Sequence, residues 1–162
     1  MSGANTHVHE FRCRLVWTGA AKGPTLDYET YSRDCRIDGE GKQTSIRGTS
    51  APAFRGDPTL WNPEEMLVAS LSACHFLSYA ALCARARIAV VAYEDNPWGE
   101  MKKIDGKLRF AEVVLRPRVT ISSGDPEKAR ALHEKAHEIC FIASSVNFPV
   151  RNEPQIEVAA PV

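Results

Sequence analysis

The pattern of apolar positions is densest in the middle of the chain. Met66, Leu67, Val68, Leu71, Ala73, Phe76, Leu77, Tyr79, Ala80 and Leu82 fall on nearly every face of a helix. Just ahead of them, Asn62-Pro63-Glu64-Glu65 supplies an N-cap, a proline at the first helical position and two carboxylates in the first turn. The spacing predicts a helix over 62–85. Glu65 sits three residues after Asn62, the spacing of a reciprocal capping box, so these glutamates have a helix-start role before any chemical one. A helix apolar all round belongs in a core or a subunit interface. Ser70, Ser72, His75 and Ser78 interrupt the run and favour a buried helix over a membrane span.

On either side the periodicity shortens to two. Residues 11–18 and 25–32 alternate around Gly19, Gly23 and Pro24, which predicts a hairpin. Residues 35–58 are rich in Gly, Ser, Thr and Pro, with one short strand at 43–48, and read as an ordered functional loop or an excursion. Strands are predicted at 88–93, at 98–103 as its continuation, and over 108–121 despite Pro117, giving a meander. Asp125-Pro126-Glu127 repeats the helix-start signature and opens an amphipathic helix with Ala129, Leu132, Ala136, Ile139 and Cys140 on one side. Pro149 and Pro154 bracket a turn before a closing strand at 155–158. Strands, helix, strands, helix, strand is the order of an α+β fold, expected as a single domain over residues 1–162.

Charge removes several function classes. Twenty basic and twenty acidic residues give a formal net charge of zero, with no basic field for nucleic acid or anionic lipid. Weak self-repulsion leaves room for an oligomer. Residues 1–10 lack a basic segment followed by an apolar run, so no secretory leader is expected and the cytoplasm is the expected compartment. The five cysteines are odd in number and lack CxxC spacing, which points to thiols rather than a disulfide framework.

Cys74 lies mid-helix, where a cysteine is ordinarily an inert small core residue. Adjacent helical residues do not face one another, so His75 does little for it. A reactive thiol needs its pKa lowered from ~8.5 to ~6, roughly 3.4 kcal/mol, about what one arginine at ~4 Å supplies. Arg55, in the loop ahead of the helix, is the candidate, with Glu64 to hold it. His133-Glu134-Lys135-Ala136-His137 is a literal HExxH, the pattern of a zinc-dependent hydrolase. The apolar stripe through Leu132, Ala136 and Ile139 makes the two imidazoles straddle its edge, so a partly solvated flank accounts for them as well. Cys140, near the end of the second helix, is the kind of thiol that condenses with a sulfenate.

Taken together, the run from Asn62-Pro63-Glu64-Glu65 to Ala73-Cys74 and the later Ala136-His137-Glu138-Ile139-Cys140 segment resemble the OsmC/Ohr family of thiol-dependent peroxidases. The resemblance implies antiparallel sheets wrapped around a long buried helix in an intertwined homodimer. It implies Cys74 as peroxidatic cysteine, Cys140 as resolving cysteine and Glu64 as the carboxylate that positions an arginine. Phe54-Arg55-Gly56 is similar to the OsmC branch; Arg33 and Lys22, the latter at the place from which the Ohr branch draws its arginine, are the other cations. Cys140 is followed by Phe141, where many relatives have proline. The implied activity is reduction of organic hydroperoxides, and of hydrogen peroxide, by an external dithiol, with no metal or organic cofactor. Phe54, Trp61, Phe141 and Phe148 are candidates for an apolar collar or ordinary core aromatics. A zinc-dependent hydrolase at His133, Glu134 and His137, or a non-catalytic stress-response or binding protein, are the competing readings.

Overall fold

The residues that start the central helix do what their chemistry dictates. Asn62 Oδ1 accepts from the Glu65 amide at 2.8 Å, and Glu65 Oε2 accepts from the Asn62 amide at 3.4 Å, closing a capping box on α1 (Pro63–Arg85). At the other end Arg87 takes a positive φ of 59°. The Ile88 amide then donates to Cys83 O and the Arg87 amide to Ala84 O, a Schellman closure made without glycine. The computed structural model describes residues 8–160; the expectation of no leader over 1–10 falls largely outside them. They form two compact units, divided after Met66 inside α1.

The first unit holds a three-stranded antiparallel sheet in the order β1 (Arg14–Trp17), β2 (Cys35–Asp38), β3 (Ile46–Gly48). β1 therefore pairs with residues 35–38 and not with 25–32, as the alternation suggested. The reason is local. Asp27 Oδ1 accepts from the Glu29 amide, and Asp27 O accepts from Thr30 and Tyr31, which folds 25–32 into turns with Leu26 and Tyr28 exposed. After β3, a 3₁₀ turn at Pro52–Phe54 ends on Arg55 in a left-handed conformation. A Cβ on Gly56 would stand 1.5 Å from Ser50 O, so only glycine lets the chain pass.

The second unit contains β4 (Ala89–Asp95), β5 (Trp98–Ile104), β6 (Lys107–Leu115), β7 (Pro117–Ser123), α2 (Pro126–Ile139), β8 (Val150–Asn152) and β9 (Gln155–Val158). Asp105 and Gly106, both at positive φ, make the two-residue turn between β5 and β6. The single long strand expected over 108–121 is cut at Arg116. Pro117 has no amide hydrogen, and the Arg116 amide donates to Asp95 Oδ1 at 2.7 Å. The chain thus crosses from one sheet, β5-β6-β8, to another, β4-β7-β9. Each sheet joins an antiparallel pair to a parallel one, β6 with β8 and β7 with β9. Ser72 of α1 donates to the other oxygen of Asp95, so one carboxylate ties the helix to the crossing point.

α1 is not covered on every face. Leu71, His75, Tyr79 and Cys83, four residues apart, are its buried stripe, while Leu77 on another side is 66% exposed. Leu71 packs with Val113 and Leu115; Tyr79 and Cys83 pack with Val119, Ile121, Ala129 and Ala136. By length and a mean hydropathy of 1.6 the helix could cross a membrane, but this stripe is seated on the protein's own sheets and second helix. Of the two places open to an apolar helix face, Leu71 takes the core of the chain. Leu71→Ala should cost about 2–5 kcal/mol in chemical denaturation, the range for a buried leucine whose cavity cannot fully collapse.

Candidate active site

Two thiols from two helices meet. Cys74 is half-buried on α1, and Cys140 is the C-cap of α2, 1% exposed. Their sulfurs stand 2.8 Å apart, with Cys140 Sγ donating to Cys74 Sγ, although 66 residues separate them in sequence. A disulfide needs ~2.05 Å, so closure asks for less than an ångström of travel. Local bonds hold Cys140. Asp125 caps α2 by accepting from the Glu127 amide, the Cys140 amide closes the last turn on His137 O, and the Ala143 amide points at the Cys140 sulfur from 3.5 Å. Burial, and then the contact with Cys74, pushes the Cys140 thiol up to about 11, so Cys140 keeps its proton at neutral pH.

The charged residues expected beside Cys74 have other neighbours. Arg55 forms an ion pair with Glu29, both about half exposed, and among the described residues no ion pair joins it to Glu64. One oxygen of Glu64, Oε2, is buried without a hydrogen-bond partner among the described residues. Arg33 lies over the rings of Tyr31, at 3.8 Å, and Tyr28, at 4.8 Å, and donates to both of their carbonyls. Lys22 is paired with Asp34 at 2.8 Å, and that bond holds the Asp34 carboxyl below its ordinary range. Of the aromatic candidates, Phe148 stacks on Phe110 within a core cluster and Phe141 is 82% exposed.

The HExxH residues separate. His133 is fully buried, not on a solvated flank; its Nδ1 lies 2.9 Å from Nε2 of His75, and its ring stacks on Tyr79 at 3.8 Å. Glu134 is exposed, and no grouping of three His, Cys, Asp or Glu side chains among the described residues has the arrangement of a metal site. His75, set aside in the sequence because it adjoins Cys74 on the helix, is therefore a buried polar partner in its own right. The four-residue rhythm of Leu71, His75, Tyr79 and Cys83 was the available signal. Asp95, which receives Ser72 and Arg116, carried none.

The fold is found in other proteins. The family model for OsmC-like protein matches residues 56–154. The structure also resembles that of an OsmC-like protein of unknown function from Vibrio cholerae, with a TM-score of 0.83, 31% identity, and coverage of 91% of this chain and 100% of that one. The chain belongs to the OsmC-like family. More distant relatives share the fold of this OsmC-like protein. An organic hydroperoxide resistance protein from Elizabethkingia anophelis has a TM-score of 0.67 at 17% identity, covering 95% and 99% of the two chains. The organic hydroperoxide resistance protein OhrB of Bacillus subtilis has a TM-score of 0.60 at 21% identity, covering 90% and 98%. No curated protein matches the chain by sequence.

The buried imidazoles set a pH dependence for the OsmC-like protein. Burial pushes His75 down to about 4, with Asp95 opposing and His137 adding, and pushes His133 down to about 3, with His75 and Arg130 adding. The unfolded chain protonates both near 6.5. As pH falls below 6.5, the unfolded state takes up protons that the folded state refuses, so stability is full above 6.5 and declines toward pH 4. The slope approaches about 1.4 kcal/mol per pH unit for each imidazole. Urea unfolding between pH 7.5 and 5 should show this loss, and His133→Phe should flatten it.

Proposed function

We propose that this OsmC-like protein is a thiol-dependent peroxidase that reduces organic hydroperoxides, and hydrogen peroxide, to alcohol or water. The observation that carries the reading is the asymmetry of the thiol pair: Cys74 is reachable from solvent, while Cys140 stands behind it, buried and protonated. The Cys74 thiolate attacks the distal peroxide oxygen, the O–O bond breaks, and the alkoxide leaves and takes up a proton. Cys74 is now a sulfenic acid. The Cys140 sulfur displaces its hydroxyl, which leaves as water with the Cys140 proton, and the two sulfurs form a disulfide. An external dithiol reduces that disulfide by exchange and is itself oxidised; a reducing cytoplasm is the compartment that supplies one.

Cys74→Ser should abolish consumption of cumene hydroperoxide. Cys140→Ser should give a single turnover and leave Cys74 open to sulfinic acid. Mass spectrometry of the wild type after one equivalent of peroxide should find a Cys74–Cys140 disulfide, and its absence overturns the two-thiol reaction.

The activating cation comes, on this reading, from a second copy of the chain. α1 is continuous, so Glu64, ten residues before Cys74, is ~15 Å away along the axis, beyond the reach of its side chain. A broken helix, the other route, is not what the chain adopts. The orphaned oxygen of Glu64 lacks a donor among the described residues, and the exposed Arg55–Glu29 pair, an interaction worth ~1 kcal/mol or less, gives Arg55 up at small cost. The open apolar side of α1 around Leu77 offers the surface on which two copies join. Sedimentation at low micromolar concentration should show a dimer, and mixing Cys74→Ser with Arg55→Ala subunits should restore part of the activity. A fully active monomer is incompatible with shared sites.

A further inference from the structure

We propose that the buried hydrogen bond between His75 and His133 positions the two cysteines, setting how fast and how far the Cys74–Cys140 disulfide closes. This rests on the thiol chemistry proposed above and assigns the pair no contact with peroxide. His75 follows Cys74 directly on α1, so fixing its imidazole fixes the backbone that carries the thiol. His133 lies seven residues before Cys140, two helical turns away on α2, whose ends are held by the Asp125 cap and the Cys140 closure. The 2.9 Å bond between imidazoles and the 2.8 Å approach of sulfurs are thus two contacts between the same pair of helices. Van der Waals contacts alone let helices slide by fractions of an ångström, whereas a hydrogen bond between two rigid rings is directional in both distance and angle. Stacking on Tyr79 denies the His133 ring a change of rotamer.

An apolar pair of similar volume would fill the same space without the desolvation cost of two imidazoles, so packing alone does not account for them. His133 even leaves Nε2 buried without a partner among the described residues, while its other nitrogen meets His75. What this choice of residues adds over an apolar pair is direction.

The two roles predict opposite orders for two variants. His133→Phe keeps ring volume and stacking but has no bond to give; His133→Asn loses packing but places an amide atom close to the position of Nδ1. If the pair served only packing, Phe would outperform Asn in every measurement. Positioning predicts that Phe is the more stable protein and Asn the faster at closing the disulfide. Reduced full-length protein receives one equivalent of cumene hydroperoxide; dimedone traps the sulfenate, and quenched samples are read by mass spectrometry for the disulfide. His133→Phe should form the Cys74 sulfenate at the wild-type rate and close about tenfold more slowly, the weight of one hydrogen bond, with Asn between it and the wild type. Equilibration with dithiothreitol should show the disulfide of His133→Phe about tenfold easier to reduce. His75→Phe replaces His133→Phe if the latter does not fold. Closure and dithiothreitol equilibria of the Phe variant within twofold of the wild type overturn the positioning role. A wild type that forms no sulfenate overturns the peroxidase reading instead, and there the dithiothreitol equilibria still test the histidine pair.

Discussion

The second unit depends on which side of α1 is buried. Leu71, His75, Tyr79 and Cys83 recur every fourth residue, and this stripe meets both sheets and α2. Leu71 reaches the strands of one sheet, and Tyr79 and Cys83 reach the other sheet and α2. A rotation of α1 by one residue, about 100°, would put Cys74 in the stripe and His75 out of it. Cys74 would then be as sealed as Cys140, and the imidazole contact would be lost. The half-exposure of Cys74 is thus a consequence of the burial of its neighbour.

The same constraint separates the two thiols chemically. Cys140, at a helix end closed by its own backbone bonds, pays for burial with a pKa pushed up to about 11. Its contact with Cys74 is therefore a thiol donating to a sulfur. The proposed division into an attacking and a resolving cysteine needs no difference between the two residues themselves; the half-exposure of Cys74 and the burial of Cys140 would suffice for it.

What the sequence disclosed and what it withheld divide by the range of the interactions. The capping box at Asn62 and Glu65, the Asp125-Pro126-Glu127 start of α2 and the position of Cys140 at its end were legible because each rests on residues within a turn of one another. Residues 25–32 were misread because Asp27 gathers its neighbours' amides more strongly than the alternation of side chains favours a strand. The strand over 108–121 was right in its extent and wrong in its unity, since the Arg116 amide goes to an aspartate 21 residues away. The strand at Val150–Asn152 has only three residues and gains its identity from parallel pairing with β6. His75 and His133 are 58 residues apart, and neither carries a local mark of the other. The thiol pair was legible only through the motifs shared with a known family.

Charge placement on α1 carries this reasoning one step further. A helix that presents Glu64 in its first turn and Cys74 nearly three turns later cannot use that carboxylate on its own thiol, however its side chains rotate. Yet Glu64 keeps a buried oxygen without a partner among the described residues, which costs free energy. Glu65 has its donor in Asn62 and is needed for the helix start; Glu64 is not. The paired glutamates are therefore not equivalent: one closes the helix upon itself, and the other takes no part in that closure. On the proposal of shared sites, the partnerless oxygen of Glu64 is the feature that a second copy, bringing its Arg55, would complete.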